Sequence, residues 1–305
     1  MKFAALFPGQ GSQAIGMARD LFEGSAAARK VLEEAEATLP GLLGLMFEGP
    51  LEELTLTANQ QPALVAAGAA AWAAWRERGG PQPFAAAGHS LGEFTALHAS
   101  GALKLTDALR LVRQRGSFMQ EAVAPGAGAM AAVMRLDPEE IRAVLADSSG
   151  TVELANLNSP AQTVISGEAD AVEAAAAKLK EQGGRVIPLK VSAPFHCSLM
   201  QPAAAQLKPL LEATDFSGPV FPVYSNVTAK PHEPGAIARR LEEQVTSAVR
   251  WTETLSRLHA AGVTMTIEFG SGQVLTGLTG RTLKDVQALA VNDLASLQAA
   301  LDEVI

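Results

Sequence analysis

Residues 84–97 read FAAAGHSLGEFTAL, and the fold follows from how this stretch is read. Phe84-Ala85-Ala86-Ala87 is short and apolar, as a buried strand is, and Leu91 to Ala99 has helical spacing. The G-x-S-x-G from Gly88 to Gly92 therefore falls on a strand-to-helix turn, the context that a nucleophile elbow requires. So sharp a turn has no room for a Cβ two residues before or after the serine. It drives Ser90 into a strained backbone conformation with its hydroxyl exposed. The first amides of the new helix then point at whatever Ser90 attacks.

Upstream, Phe3 to Phe7 is a short apolar strand that breaks at Pro8-Gly9-Gln10-Gly11-Ser12-Gln13, ahead of an amphipathic stretch opening at Ile15. A glycine-rich loop in that position either gathers backbone amides around an anion or is a tight turn. Read as G-x-G-x-x-A over Gly9, Gly11 and Ala14 it would suit a non-catalytic nucleotide-binding module, but no second strand ending in an acidic residue follows at the required distance. Downstream, Thr106 to Val123 carries apolar residues at three- and four-residue steps, with Arg115 in the middle of the stripe and Arg110 and Arg113 on the opposite face. Leaving such a cation buried and unpaired costs about 3–5 kcal/mol, so Arg115 requires a structural ion pair, carbonyls or a ligand anion.

From about Gly126 the spacing predicts strand, helix, strand, strand, helix, strand: 129–136, 138–146 opened by Asp137, 152–157, 163–166, 169–182 and 186–191. That is the split ferredoxin-like order, complete in one block. The remaining segments alternate strand and helix, with strands expected at 220–224, 263–269 and 287–291, which implies a largely parallel sheet covered on both faces. The expected architecture is α/β, with a large subdomain over 1–124 and 198–305 and an inserted small subdomain over 125–197.

A serine nucleophile needs a base. Five histidines are available. His89 adjoins Ser90 but points away in a tight turn, His98 lies about two turns along the helix, His232 is in a Pro-rich loop, and His259 is on a helix. His196, in the turn Ser192-Ala193-Pro194-Phe195-His196-Cys197 at the exit of the inserted block, is the candidate. The lone Cys197 has no base-bearing motif beside it and reads as a small buried hydrophobe. A serine esterase would instead require Ser90 with an acid and a histidine in that order, such as Asp215 and His259.

The 305 residues suffice for a large core, and a net charge of -8 excludes nucleic-acid binding built on clustered cations. One cysteine excludes an internal disulfide, no apolar run is long enough to span a bilayer, and the five apolar residues after Lys2 are too few for a signal peptide. A cytoplasmic location is expected.

Seven separated stretches, in order through almost the whole chain, resemble the malonyl-CoA:acyl carrier protein transacylase family: FPGQGSQ at 7–13, GHSLGEF at 88–94, QRGSFMQEA at 114–122, ANLNSPAQTVISG at 155–167, APFHC at 193–197, VRW at 249–251 and EFGSGQVLTGL at 268–278. The resemblance implies a hydrolase-like α/β large subdomain with a parallel sheet, plus a ferredoxin-like small one. It also implies ping-pong transfer of malonyl from coenzyme A to the phosphopantetheine thiol of acyl carrier protein through a malonyl-serine. By the same resemblance Ser90 is the nucleophile, His196 its base and Arg115 the ligand of the malonyl carboxylate. Gln10 and Leu91 supply oxyanion-hole amides, and the Gln244 carbonyl orients the histidine. Asn158 lies near the site, and Phe195 fits the malonyl-selective pattern. No metal and no cofactor is implied. A monomer serving type II fatty acid synthesis is expected, with polyketide synthesis as the other pathway. The carrier is acidic, so docking on this acidic chain calls for local cations, with Lys178, Lys180, Arg185 and Lys190 as candidates.

Overall fold

The computed structural model describes residues 2–305 and contains two sheets. Strands β1 (Phe3–Phe7), β2 (Ala85–Gly88), β3 (Gly128–Met134), β4 (Val152–Ser159), β5 (Gln162–Glu168), β6 (Arg185–Pro188), β7 (Val223–Tyr224), β8 (Met265–Phe269) and β9 (Gln287–Val291) follow in that order. The larger sheet runs β7-β2-β1-β8-β9 with every pairing parallel. Its central strand, FAALF, is buried throughout, because helices cover both faces of a parallel sheet. Phe3, Ala5 and Phe7 enter one apolar cluster, and Ala4 and Leu6 the other.

The helix Thr57–Glu77 packs on the first of these faces through a run of alanines. Pro62 lies inside it and cannot donate to the carbonyl of Ala58; that oxygen accepts from Arg113 Nη1 instead, at 3.0 Å.

The smaller sheet, β4-β5-β3-β6, is antiparallel, and its strand order and two crossing helices are those of a ferredoxin-like unit. Alternation along β3 divides its faces: Ala131 and Val133 meet the helices Pro138–Ala146 and Ala169–Glu181, while Met130 and Ala132 join the main core. The small sheet is also held by backbone to the loop between the helices Ile237–Thr246 and Trp251–Ala260, since Val249 N–H donates to Ala155 O and Leu157 N–H to Val249 O, both at 2.9 Å.

Several boundaries differ from the sequence expectation. The first helix starts at Arg19 rather than Ile15, because Gly16 and Ala18 take positive φ. The strand expected at 220–224 is only β7, since Pro222 has no N–H to give and Val220 is exposed; β6 ends at Pro188, although Leu189 N–H still donates to Met130 O at 2.9 Å. Helices Leu42–Glu48 and Leu51–Thr55 are additions.

Candidate active site

Ser90 stands just past the C-terminal end of β2, with φ of 54°. The flanking glycines have the role the turn demands. A Cβ on Gly88 would lie 1.9 Å from the Gly92 carbonyl carbon, and one on Gly92 would lie 2.1 Å from Phe7 O. The strained serine is held by Asn226, whose Oδ1 accepts from Ser90 N–H and whose Nδ2 donates to Gly88 O, both at 2.6 Å.

His196 reaches the same point from the small sheet's exit, also at positive φ, 60°. Its Nε2 is 2.8 Å from Ser90 Oγ and its Nδ1 is 2.9 Å from Gln244 O. A carbonyl oxygen only accepts, so Nδ1 carries the proton and Nε2 is free to take the serine's. Burial, with the Arg115 charge as the second cause, pushes the imidazole down to about 3 from its usual 6.5, so the ring is neutral at neutral pH.

Arg115 is fully buried on the helix Leu105–Glu121. Its Nη1 donates to Gln61 Oε1 at 2.9 Å, and its Nη2 to Gln244 Oε1 at 3.0 Å and Ser90 Oγ at 3.1 Å. Nε has no partner. Burial lowers its pKa to about 10 while the Glu93 charge opposes the shift, so the guanidinium stays charged. No carboxylate among the described residues touches it, which removes the structural ion pair as its purpose.

Gln10 follows β1 as Ser90 follows β2, and the parallel register Phe7↔Gly88 sets the two loops side by side, with His89 N–H donating to Phe7 O at 3.0 Å. Gln10 is fixed through its side chain, whose Nε2 donates to Gln60 Oε1 at 2.7 Å. The loop does not lead into a helix until Arg19, so the dinucleotide fingerprint lacks its context.

Asn158 is placed against His89, Oδ1 to Nε2 at 2.8 Å, one residue from Ser90. Phe195 is buried in the main core. The esterase grouping does not form: His259 is half-buried and contacts Asp285 at 3.1 Å, while Ser90 faces His196. Gln61, Glu93, Asn226 and His232 went unrecognised in the sequence, although Glu93 is the one carboxylate in the apolar run GEFTALHA. Among the described residues no three His, Cys, Asp or Glu side chains group to hold a metal.

A serine at a strained elbow, a neutral imidazole and a buried guanidinium converging on one hydroxyl define a serine acyltransferase on an α/β scaffold. Residues 5–300 match the model of the acyl transferase domain family. A Bacillus subtilis (strain 168) protein named malonyl CoA-acyl carrier protein transacylase is 47% identical, over 98% of this chain and 96% of its own. A malonyl-transacylase solved in complex with its type II PKS acyl-carrier protein superposes with a TM-score of 0.97 at 45% identity, over 99% of this chain and all of the other. An acyl carrier protein S-malonyltransferase from Vibrio cholerae gives 0.95 at 46% identity, over 98% of this chain and all of the other. The chain belongs to the acyl transferase domain family and, within it, to the malonyl CoA-acyl carrier protein transacylases.

Proposed function

We propose that this enzyme moves malonyl from coenzyme A to the phosphopantetheine thiol of acyl carrier protein through an ester on Ser90, and that it supplies type II fatty acid synthesis. Arg115 carries the reading: it is a buried cation whose hydrogen-bond acceptors are all neutral and whose fork lies against the hydroxyl to be acylated. A malonyl group on Ser90 ends in a carboxylate two carbons beyond the ester carbonyl, within reach of that fork. Nε and Nη2 form one edge able to grip it bidentately. Acetyl has no such group and leaves the cation unpaired.

In the first half-reaction Ser90 Oγ attacks the thioester carbonyl while its proton passes to His196 Nε2. The amides of Gln10 and Leu91 hold the oxyanion, a contribution of about a hundredfold to a thousandfold per donor. Collapse breaks the C–S bond, and coenzyme A leaves as a thiol with the proton from His196. In the second half-reaction the pantetheine thiol gives its proton to His196, its sulfur attacks the ester, and Ser90 departs with that proton. The scheme uses no cofactor or metal. We assign the chemistry to a cytoplasmic monomer whose body is 1–124 with 198–305 and whose small subdomain, 125–197, contributes His196.

Intact-mass measurement after mixing with malonyl-CoA tests this. The expected result is one malonyl adduct on Ser90, absent in Ser90→Ala and His196→Ala, nearly unchanged in His259→Ala, and discharged by added carrier protein. An adduct that hydrolyses equally fast without the carrier would point to an esterase, and no adduct would point to a binding module.

A further inference from the structure

We propose that Glu93 is a positioning residue for malonyl selection: its buried carboxylate fixes which end of the Gln244 amide faces Arg115 and thereby holds the guanidinium fork against Ser90. The inference rests on the malonyl reading above.

Glu93 lies in the first turn of the helix Gly92–Ala99 and has no exposed surface. Two donors meet its Oε2, Asn226 N–H at 2.9 Å and Gln244 Nε2 at 2.8 Å, and His232 Nε2 lies 2.7 Å from Oε1.

The consequence passes through Gln244. A carboxylate cannot face the amide oxygen, so the NH2 end turns to Glu93, where it also donates to Ser90 O at 3.0 Å. The amide oxygen is then directed at Arg115 Nη2. The same residue's backbone carbonyl orients His196. Glu93 also holds Asn226, which clamps the elbow at Gly88 and at Ser90 N–H. One anion thus sets the fork and the serine, yet it leaves Arg115 untouched and available to a substrate carboxylate. A direct Glu–Arg pair would have filled the acyl pocket's binding edge.

The charge matters as well as the direction. The charged and titratable groups facing Arg115 are Glu93 from the elbow helix and His196 from the small-sheet exit; Gln61, Gln244 and Ser90 are neutral. Glu93 is the group that opposes the effect of burial on the guanidinium.

The test compares wild type, E93Q and E93D for the rate of Ser90 adduct formation from malonyl-CoA and acetyl-CoA across pH. In E93Q the amide of Gln244 loses its strongest constraint, so the malonyl-to-acetyl preference is expected to fall about tenfold or more. The alkaline limb of the malonyl rate, expected near pH 10 in wild type, should move downward in E93Q. E93D keeps the charge but shortens the reach. It should keep the limb and lose part of the preference. A role in packing alone would lower the melting temperature and move neither readout, and an unchanged preference with an unchanged limb in folded E93Q overturns the proposal. Should E93Q fail to fold, E93D decides, since unchanged preference there also overturns it. Failure of wild type to form a malonyl adduct would instead overturn the malonyl reading itself.

Discussion

The oxygen of Gln244 can only accept, so His196 meets Ser90 with an unprotonated Nε2, and burial beside Arg115 keeps it so far into acid. The acid limb of kcat/KM for malonyl-CoA is therefore expected well below the usual 6.5, near pH 3, with a flat profile from about pH 5 to about pH 8. Stability behaves differently. The folded pKa lies below the unfolded one, so the unfolded chain takes up protons first; this contribution is intact above pH 6.5 and falls by roughly 1.4 kcal/mol per unit as pH drops toward 3. The part-buried His89 and His98, also held below their usual value by desolvation, add to the same slope. Melting temperature should thus decline through a range in which the rate per folded molecule holds steady. Arg115→Gln removes the second cause of the depression, so its residual acetyl transfer should show an acid limb raised by about a unit, and malonyl transfer should be lost. Unaltered malonyl preference in that variant would refute the carboxylate role. Arg115 was legible because helical periodicity put a cation in an apolar stripe. Its neutral partners Gln61 and Gln244 lie 54 and 129 residues away, a distance over which no periodicity acts.

At the scale of elements, the elbow works because the helix Gly92–Ala99 comes too close to β2 for a side chain at Gly88 and too close to the end of β1 for one at Gly92. Gly92→Ala would drive a Cβ into the backbone oxygen of Phe7, and soluble expression is expected to collapse. Asn226→Ala probes the clamp more gently. It leaves Ser90 N–H and Gly88 O buried without their partner, a cost of about 2 kcal/mol or more, read as a lower midpoint in urea. With the strained φ of Ser90 no longer enforced, adduct formation should slow at least about tenfold. An unchanged rate would mean that the helix alone holds the serine. The glycines declared themselves in the sequence because their constraint is local. Asn226 did not, since it meets Ser90 across 136 residues and β7 is only two residues long. The strand limit at Pro222 was misread for a related reason: apolar patterning continues past a residue that cannot donate to the ladder.

At the scale of the molecule, a net charge of -8 repels an acidic carrier except where cations lie close to the entrance. The architecture separates the candidate lysines. Lys178 is on the helix Ala169–Glu181, on the face of the small sheet turned away from the main body, with its Nζ on Asp147 O. Lys190 is exposed between Leu189 and Val191, also exposed, in the segment that runs from the edge strand β6 into the buried turn bearing His196. A basic residue among exposed apolar ones in the segment leading to His196 suits a carrier that must dock briefly and then leave. Lys190→Glu should therefore raise the KM for acyl carrier protein by about three- to tenfold, an effect that shrinks with added salt. The half-reaction with malonyl-CoA, followed by adduct mass, should hardly change, because it does not involve the carrier. Lys178→Glu adds the same charge on the far face and should leave both half-reactions alone. Equal effects of the two substitutions would mean that overall charge, rather than a docking point beside His196, governs the encounter.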